Sequence, residues 1–288
     1  MENLPPLVPK EGLFTLHLFY QLNRSGWESF SDMERARGLD QLRSVVEEAR
    51  QQPGFQILSI ALIARADLGF LIIGPELHFL QTIEKKLVRA LGTDILVPIF
   101  NFFSLTEKSE YTTTEEEYGE ELRVKEGIDP ASPDFAAKLE VFRQRIAHYT
   151  HDRLNPKIPD WEFFAFYPMS KRRAVGQNWY ALDHARRKEL MKGHATVGRR
   201  YSGKILQIIT GATGLDDWEW GVTLFAHDPA EVKAIVYEMR FDEVTAQYAE
   251  FGEFFTGIPI CRCKPQPRLP WWRSRFPASI RASFSSSA

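Results

Sequence analysis

Apolar and polar positions switch between two periods along this chain. Residues 13–22, LFTLHLFYQL, form a dense apolar run of strand length. Across 34–52 the positions Leu39, Leu42, Val45 and Val46 fall at helical spacing, and Pro53 with Gly54 stops that helix. Two apolar runs, 55–63 and 69–74, flank a short polar turn and predict a strand pair. Helical spacing returns over 76–91, where Gly92 is placed to end the element, and 94–105 predicts a further strand. The first third of the chain is therefore expected in the order β-α-β-β-α-β.

Residues 107–122 break the pattern with seven glutamates against one lysine, the composition of a solvated connector. A helix is predicted over 131–154, and then the earlier order repeats. Strand 161–170 precedes helix 181–200, followed by strands 204–211 and 218–226. Helix 228–240 has Asp228 as cap and Pro229 in its first turn, and strand 254–260 closes the series. The ferredoxin-like, split βαβ order thus occurs twice. The expected fold class is α+β, with two sheets that either pack face to face or share one barrel. The corresponding division is a leader (1–12), an N-terminal half (13–106), an acidic connector with a helix (107–158), a C-terminal half (159–263) and a basic tail (264–288).

Composition narrows the function classes. With 288 residues, 44% hydrophobic and 26% charged, the chain can bury a sizeable core without covalent staples. A net charge of −2 gives no case for nucleic-acid binding. The N-terminus has no basic-then-apolar signal segment, and the most apolar stretch, 55–74, is interrupted by Arg65 and Asp67. The two cysteines, Cys261 and Cys263, are one residue apart and would point to opposite faces of a strand. A cytoplasmic location is expected. From Cys261 onward the chain has six basic residues, no acidic ones and two adjacent tryptophans. This segment is expected to be a flexible tail, with contact to anionic lipid or a partner as the open alternative.

Generic catalytic motifs are scarce. GATG at 211–214 lacks the context of a dinucleotide site, and no phosphate-binding GxxxxGK[ST] occurs. His148 and His151 have the spacing of helix-surface residues, with no carboxylate set to complete a metal motif. The unusual stretch is FYPMSKRR (166–173), where a strand meets Pro168 and three consecutive cations follow. Such a loop suits carboxylates or phosphates, and equally a solvated basic turn. His194 lies near a predicted helix end, a position shared by structural and metal-binding histidines.

Longer segments are more specific. RLNPKIPDWEFFAFYPMSKRR (153–173), NWY (178–180), LMKGHATVGRRYSGKILQIITGATGLDDWEWGVTLF (190–225) and EMRFDEVTAQYAEFGEFF (238–255) resemble the coproheme decarboxylases of the chlorite dismutase-like superfamily. The resemblance is strong over 153–260 and mainly architectural over 13–105. It implies a dimeric α+β barrel-type subunit and a homopentamer. It also implies an oxidoreductase of haem biosynthesis that turns two propionates of iron coproporphyrin III into vinyls with hydrogen peroxide. Coproheme would be both substrate and redox centre, haem b the product, and a coproporphyrin ferrochelatase a transient partner.

By the same resemblance His194 is the axial iron ligand and Tyr167 the redox-active, catalytic residue. Arg153 and Lys171 bind propionates, while Pro168, Met169 and Ser170 shape that wall. Gln207 lies on the distal side of the iron, and Thr245 stands where the family commonly has a serine. Trp179, Trp220 and Arg240 match family positions with packing roles. A chlorite dismutase carries an arginine where this chain has Gln207. A haem-binding carrier or sensor would need neither Tyr167 nor Lys171.

Overall fold

The computed structural model describes residues 5–260. Cys261, Cys263 and the basic tail lie outside the described residues, as do the first four positions of the leader. The N-terminal half comprises β1 (Phe14–Leu22), α1 (Arg24–Ser29), α2 (Asp32–Gln51), β2 (Gln56–Ile63), β3 (Leu68–Gly74), α3 (Leu77–Ala90) and β4 (Leu96–Thr106). Two helices follow, α4 (Glu115–Lys125) and α5 (Pro133–Leu154). The C-terminal half comprises β5 (Phe163–Lys171), a small hairpin of β6 (Arg173–Ala174) and β7 (Gln177–Asn178), a 3-10 turn (Trp179–Ala181) and α6 (His184–Arg199). It continues through β8 (Ile205–Gly211), β9 (Trp220–Ala226), α7 (Pro229–Met239), α8 (Glu243–Tyr248), β10 (Ala249–Phe251) and β11 (Phe255–Pro259).

Local chemistry sets several of these boundaries. Ser31 and Glu34 form a reciprocal capping box that starts α2. Asp183 accepts the Arg186 N–H at 2.8 Å, so α6 begins at His184 rather than at the start of the predicted helix.

The strands form one antiparallel sheet in the order β10-β5-β11-β2-β3-β1-β4-β8-β9, and an additional β5–β9 pairing closes it into a barrel. The halves therefore share one barrel. Within the N-terminal half the order is β2-β3-β1-β4, and the C-terminal half repeats it as β8-β9-β5-β11. The halves join at β11–β2 and β4–β8, where the latter contact covers only Leu105↔Gly211 and Thr106↔Thr210.

Strand alternation divides the core. Phe19, Phe102, Phe164, Phe166, Phe225 and Phe255 fill the barrel interior, with Phe19 and Phe255 stacked at 4.4 Å. His17 shares that interior, bonded through Nε2 to Thr223 Oγ1 at 2.8 Å. On the outside of the N-terminal half, Leu16, Leu18 and Tyr20 pack with Leu39, Leu42 and Val46 of α2 and Leu80, Ile83 and Leu87 of α3. β1 is buried on both faces, which explains its unbroken apolar run.

The acidic segment differs from the expected open connector. Thr114 and Glu117 form a capping box that starts α4. The segment is then pinned to α6, with Glu110 paired to Arg187 at 3.2 Å, Glu117 paired to Lys188, and Tyr111 stacked on His184 at 5.9 Å. Glutamates that looked like solvated charge in isolation have cationic partners on a helix more than 60 residues away, which composition cannot reveal.

Candidate active site

The outer face of the C-terminal half carries the candidate chemistry. Cross-strand register lays its outward residues in rows: Met169, Trp220 and Gly211; then Tyr167, Val222 and Ile209; then Ala165, Leu224 and Gln207. α6 and α7 lie over this face, with Val197 and Tyr201 of the α6 end and Val232, Ile235 and Met239 of α7 packing against it. Coverage is incomplete at β8. Its inward residues Ile208 and Thr210 are buried, whereas Ile205 and Ile209 are half-buried and Gln207 is exposed. An apolar strip left partly uncovered beneath a helix suits a flat apolar ligand.

Tyr167 is buried beside this strip, stacked on Phe254 at 4.6 Å and tilted against Phe251 at 5.5 Å. Burial pushes its phenol well above the ordinary value, while the charge of Arg240 pulls the other way. The Arg240 guanidinium lies over the Phe251 ring at 4.2 Å.

Lys171 ends the same strand and is only 9% exposed. Burial lowers its ammonium to about 8, while Asp242 and Glu219 hold it up. Its Nζ sits 4.4 Å from the centre of the Trp179 ring. Glu219 is itself buried and accepts the Lys171 backbone N–H at 2.7 Å. A buried ammonium beside an aromatic face can hold a carboxylate.

His194 lies on α6, with Nδ1 2.8 Å from Asp242 Oδ2. With that nitrogen donating to the carboxylate, Nε2 keeps its lone pair for a metal. Asp242 is buried enough to raise its carboxyl, yet its bonds to His194, Thr245 and the Val244 N–H outweigh burial and hold it below the usual range. Asp242 also caps α8. Thr245 Oγ1 donates to the same Asp242 oxygen at 2.7 Å.

The structure therefore brings Tyr167, Met169, Lys171 and Gln207 onto one sheet face, with His194 on the helix over it. Pro168 and Ser170 alternate to the opposite side of β5. Pro168 packs at Gly252, and the Ser170 hydroxyl accepts the Glu219 N–H at 3.2 Å. Arg153 near the end of α5 donates from Nε to the Glu107 carbonyl at 3.3 Å. Thr245 is engaged with Asp242. Sequence reasoning missed Asp242, Glu219 and Glu107. For Asp242 the available sign was its place before EVTAQY, a helix N-cap position; Glu219 and Glu107 had none.

The residues fit a haem-type group. His194, its Nδ1 bonded to Asp242, offers one imidazole nitrogen to an iron, and the half-buried Ile205 and Ile209 offer apolar cover to a macrocycle. No helix among the described residues is long and apolar enough to cross a membrane.

The chain is 35% identical over 257 residues to a coproheme decarboxylase of Oceanobacillus iheyensis, covering 87% of this chain and 93% of the relative. It is 38% identical over 257 residues to one of Thermus thermophilus, covering 88% and 92%. A heme-binding protein from Thermus thermophilus superposes with a TM-score of 0.72 at 36% identity, covering 88% of this chain and 93% of that one. A mutant chlorite dismutase of Candidatus Nitrospira defluvii shares the fold, with a TM-score of 0.65 at 16% identity over 87% of this chain and 92% of that one. Residues 35–260 match the family model described as chlorite dismutase, and the chain belongs to that family.

Proposed function

We propose that this chain is a coproheme decarboxylase that converts iron coproporphyrin III to haem b in two oxidative steps. The observation that carries the reading is the placement of Tyr167, Lys171 and Gln207 on one partly uncovered sheet face beneath the helix that bears His194. The names of the relatives at 35% and 38% identity support it.

Each step takes one propionate, one hydrogen peroxide and one proton to a vinyl group, carbon dioxide and two waters. The propionate loses two electrons, and the peroxide gains them. The bound iron porphyrin supplies the redox chemistry. His194 would hold the iron through Nε2, with Asp242 fixing the ring by its bond to Nδ1. Gln207 can hydrogen-bond peroxide on the other face without placing a fixed charge there. Lys171 and Arg153 would hold propionates, and the Trp179 ring keeps the Lys171 ammonium in place. Tyr167 stays protonated in its dry position and gives up its Oη proton only together with an electron. The resulting tyrosyl radical would take a hydrogen atom from the propionate carbon bonded to the pyrrole ring, and the substrate would give up its second electron to the oxidising equivalents left by peroxide as the C–C bond breaks, releasing carbon dioxide and leaving the vinyl.

The buried Tyr167 and Lys171 favour this reading over a carrier, because simple haem retention requires neither. A cytoplasmic homopentamer that receives coproheme from a ferrochelatase is the corresponding cellular setting. Mass spectrometry of the porphyrin after stepwise peroxide tests the proposal. Two successive losses, each matching a propionate turned into a vinyl, are expected. Tight binding with no change of mass would refute it.

A further inference from the structure

Glu107 follows β4 and reaches back over the sheet face described above. Its Oε1 accepts the Trp220 indole N–H at 2.9 Å. A Cβ built on Gly211 would overlap Glu107 Oε2, so the carboxyl is seated where position 211 has no side chain. Gly211 and Trp220 form the same cross-strand row as Met169, next to the row of Tyr167. The carboxyl is therefore an acidic group on the site's own face. Its backbone carbonyl meanwhile holds Nε of Arg153 at 3.3 Å.

We propose that Glu107 is a specificity-determining residue of the porphyrin site, an internal carboxyl that shares Arg153 with one substrate carboxylate and sets how strongly that carboxylate is held. This rests on the proposed porphyrin reading. Burial raises the Glu107 carboxyl above the usual range, although the Trp220 bond and the Arg153 charge oppose the rise. Arg153 on α5 and Glu110 on its own segment are the charges that bear on it, while Gly211 on β8 and Trp220 on β9 bring none. When neutral, the carboxyl can donate a hydrogen bond to a substrate carboxylate. When ionised, it repels that carboxylate and competes for the arginine.

The test uses the full chain and metal-free coproporphyrin III, with binding read by fluorescence, so that no turnover is involved. Glu107→Gln keeps an acceptor for Trp220 and removes the charge. At about pH 8 it is expected to bind the porphyrin about fivefold more tightly than the wild type, the scale of one partly screened charge pair. As pH is lowered and the wild-type carboxyl takes up its proton, the two should converge. Gly211→Ala provides an independent variant, because the added methyl displaces the carboxyl from its seat without removing it. It should shift affinity in the same direction, and the double variant should gain nothing further.

Equal affinities across the pH range, or weaker binding by folded Glu107→Gln, would overturn the proposal. A wild-type chain that binds coproporphyrin III but never decarboxylates its iron form would refute the enzymatic reading alone. A chain that decarboxylates but is insensitive to Glu107→Gln would refute the role of Glu107 alone. Failure of the wild type to bind the porphyrin at all would overturn both.

Discussion

Asp242 offers the sharpest test of the proposed iron-binding side, because one carboxylate accepts three hydrogen bonds. Its Oδ2 receives His194 Nδ1 at 2.8 Å and Thr245 Oγ1 at 2.7 Å, and its Oδ1 caps α8 by accepting the Val244 N–H at 3.0 Å. A hydrogen bond to a charged group contributes about 2 kcal/mol. Asp242→Asn keeps the cap, since asparagine caps as well as aspartate does. Its one acceptor oxygen is then spent on the Val244 N–H and its amide nitrogen faces His194 Nδ1, so that bond is lost and iron-porphyrin affinity should fall by about 2 kcal/mol, roughly 30-fold. Asp242→Ala removes the whole bond and should lose about 10–100-fold, the usual scale for removing a partner of a metal-bound histidine. It also removes the cap, which costs about 1 kcal/mol of folding stability.

The assay is a spectral titration with iron coproporphyrin III, paired with thermal melts of the unliganded chain. The expected result is a comparable loss of affinity in both variants, with only the alanine variant melting earlier. Affinities of both variants within about twofold of the wild type, a difference of about 0.4 kcal/mol, would refute the assignment of His194 and Asp242 as a coupled ligand pair.

Tyr167→Phe should bind coproheme like the wild type yet leave its mass unchanged after peroxide; haem b formation at the normal rate would remove the tyrosyl role. Lys171 bears on pH. Its ammonium is depressed to about 8, so charge available to a propionate disappears as pH rises through that value. Porphyrin affinity should therefore fall above about pH 8 in the wild type, while Lys171→Met should be weaker throughout and lack that fall. The same depression opposes folding when the lysine is charged, by about 3 kcal/mol below both values, and is relieved as pH rises from about 8 to 10.5. His17 works at the acid end: full burial lowers it to about 3. Its contribution is complete above the unfolded value near 6.5 and lost as pH falls toward the folded one, about 5 kcal/mol in all. His17→Gln should flatten the acid limb of a pH–stability curve, and an unchanged slope would refute this.

The elements that were legible in the sequence share a physical cause. β1, β2 and β3 are buried on both faces, and α2 and α3 bury an apolar stripe, so burial writes itself into residue type at fixed spacing. α8 and β10 are short and lie within residues 243–251, where six- and three-residue elements give no usable period. Much of the site was readable only through long family-like segments. Its internal logic was not: Glu219, Asp242 and Glu107 act on Lys171, His194 and Arg153 across tens of residues, and beyond the helix-cap position of Asp242 none of these carboxylates has a local signature. Pro168 and Ser170 illustrate the converse. They sit inside the resembling segment, but the two-residue period of β5 turns them away from the face that Tyr167, Met169 and Lys171 share.

The asymmetry of the two halves explains why the candidate site lies on the C-terminal one. α2 and α6 occupy equivalent places in the repeated order, as do α3 and α7. α2 buries Gly38, Leu39, Leu42, Val45, Val46 and Ala49, which draws it onto the sheet and leaves no space beneath. α6, with the sequence HARRKELMKGHATVGR, buries Leu190 alone. It has no apolar stripe with which to close on β8, and it is held from the outside by Glu110 on Arg187 and Glu117 on Lys188. A helix held partly by surface ion pairs, with few apolar side chains toward β8, can stand off that strand. Ile205 and Ile209 then stay half-buried and Gln207 exposed, while the helix's His194 is bonded to Asp242. On this argument, introducing leucines along the sheet-facing side of α6 would raise the melting temperature of the unliganded chain and abolish porphyrin binding together. If such variants were stabilised while still binding the porphyrin normally, the stand-off of α6 would not be what makes the site.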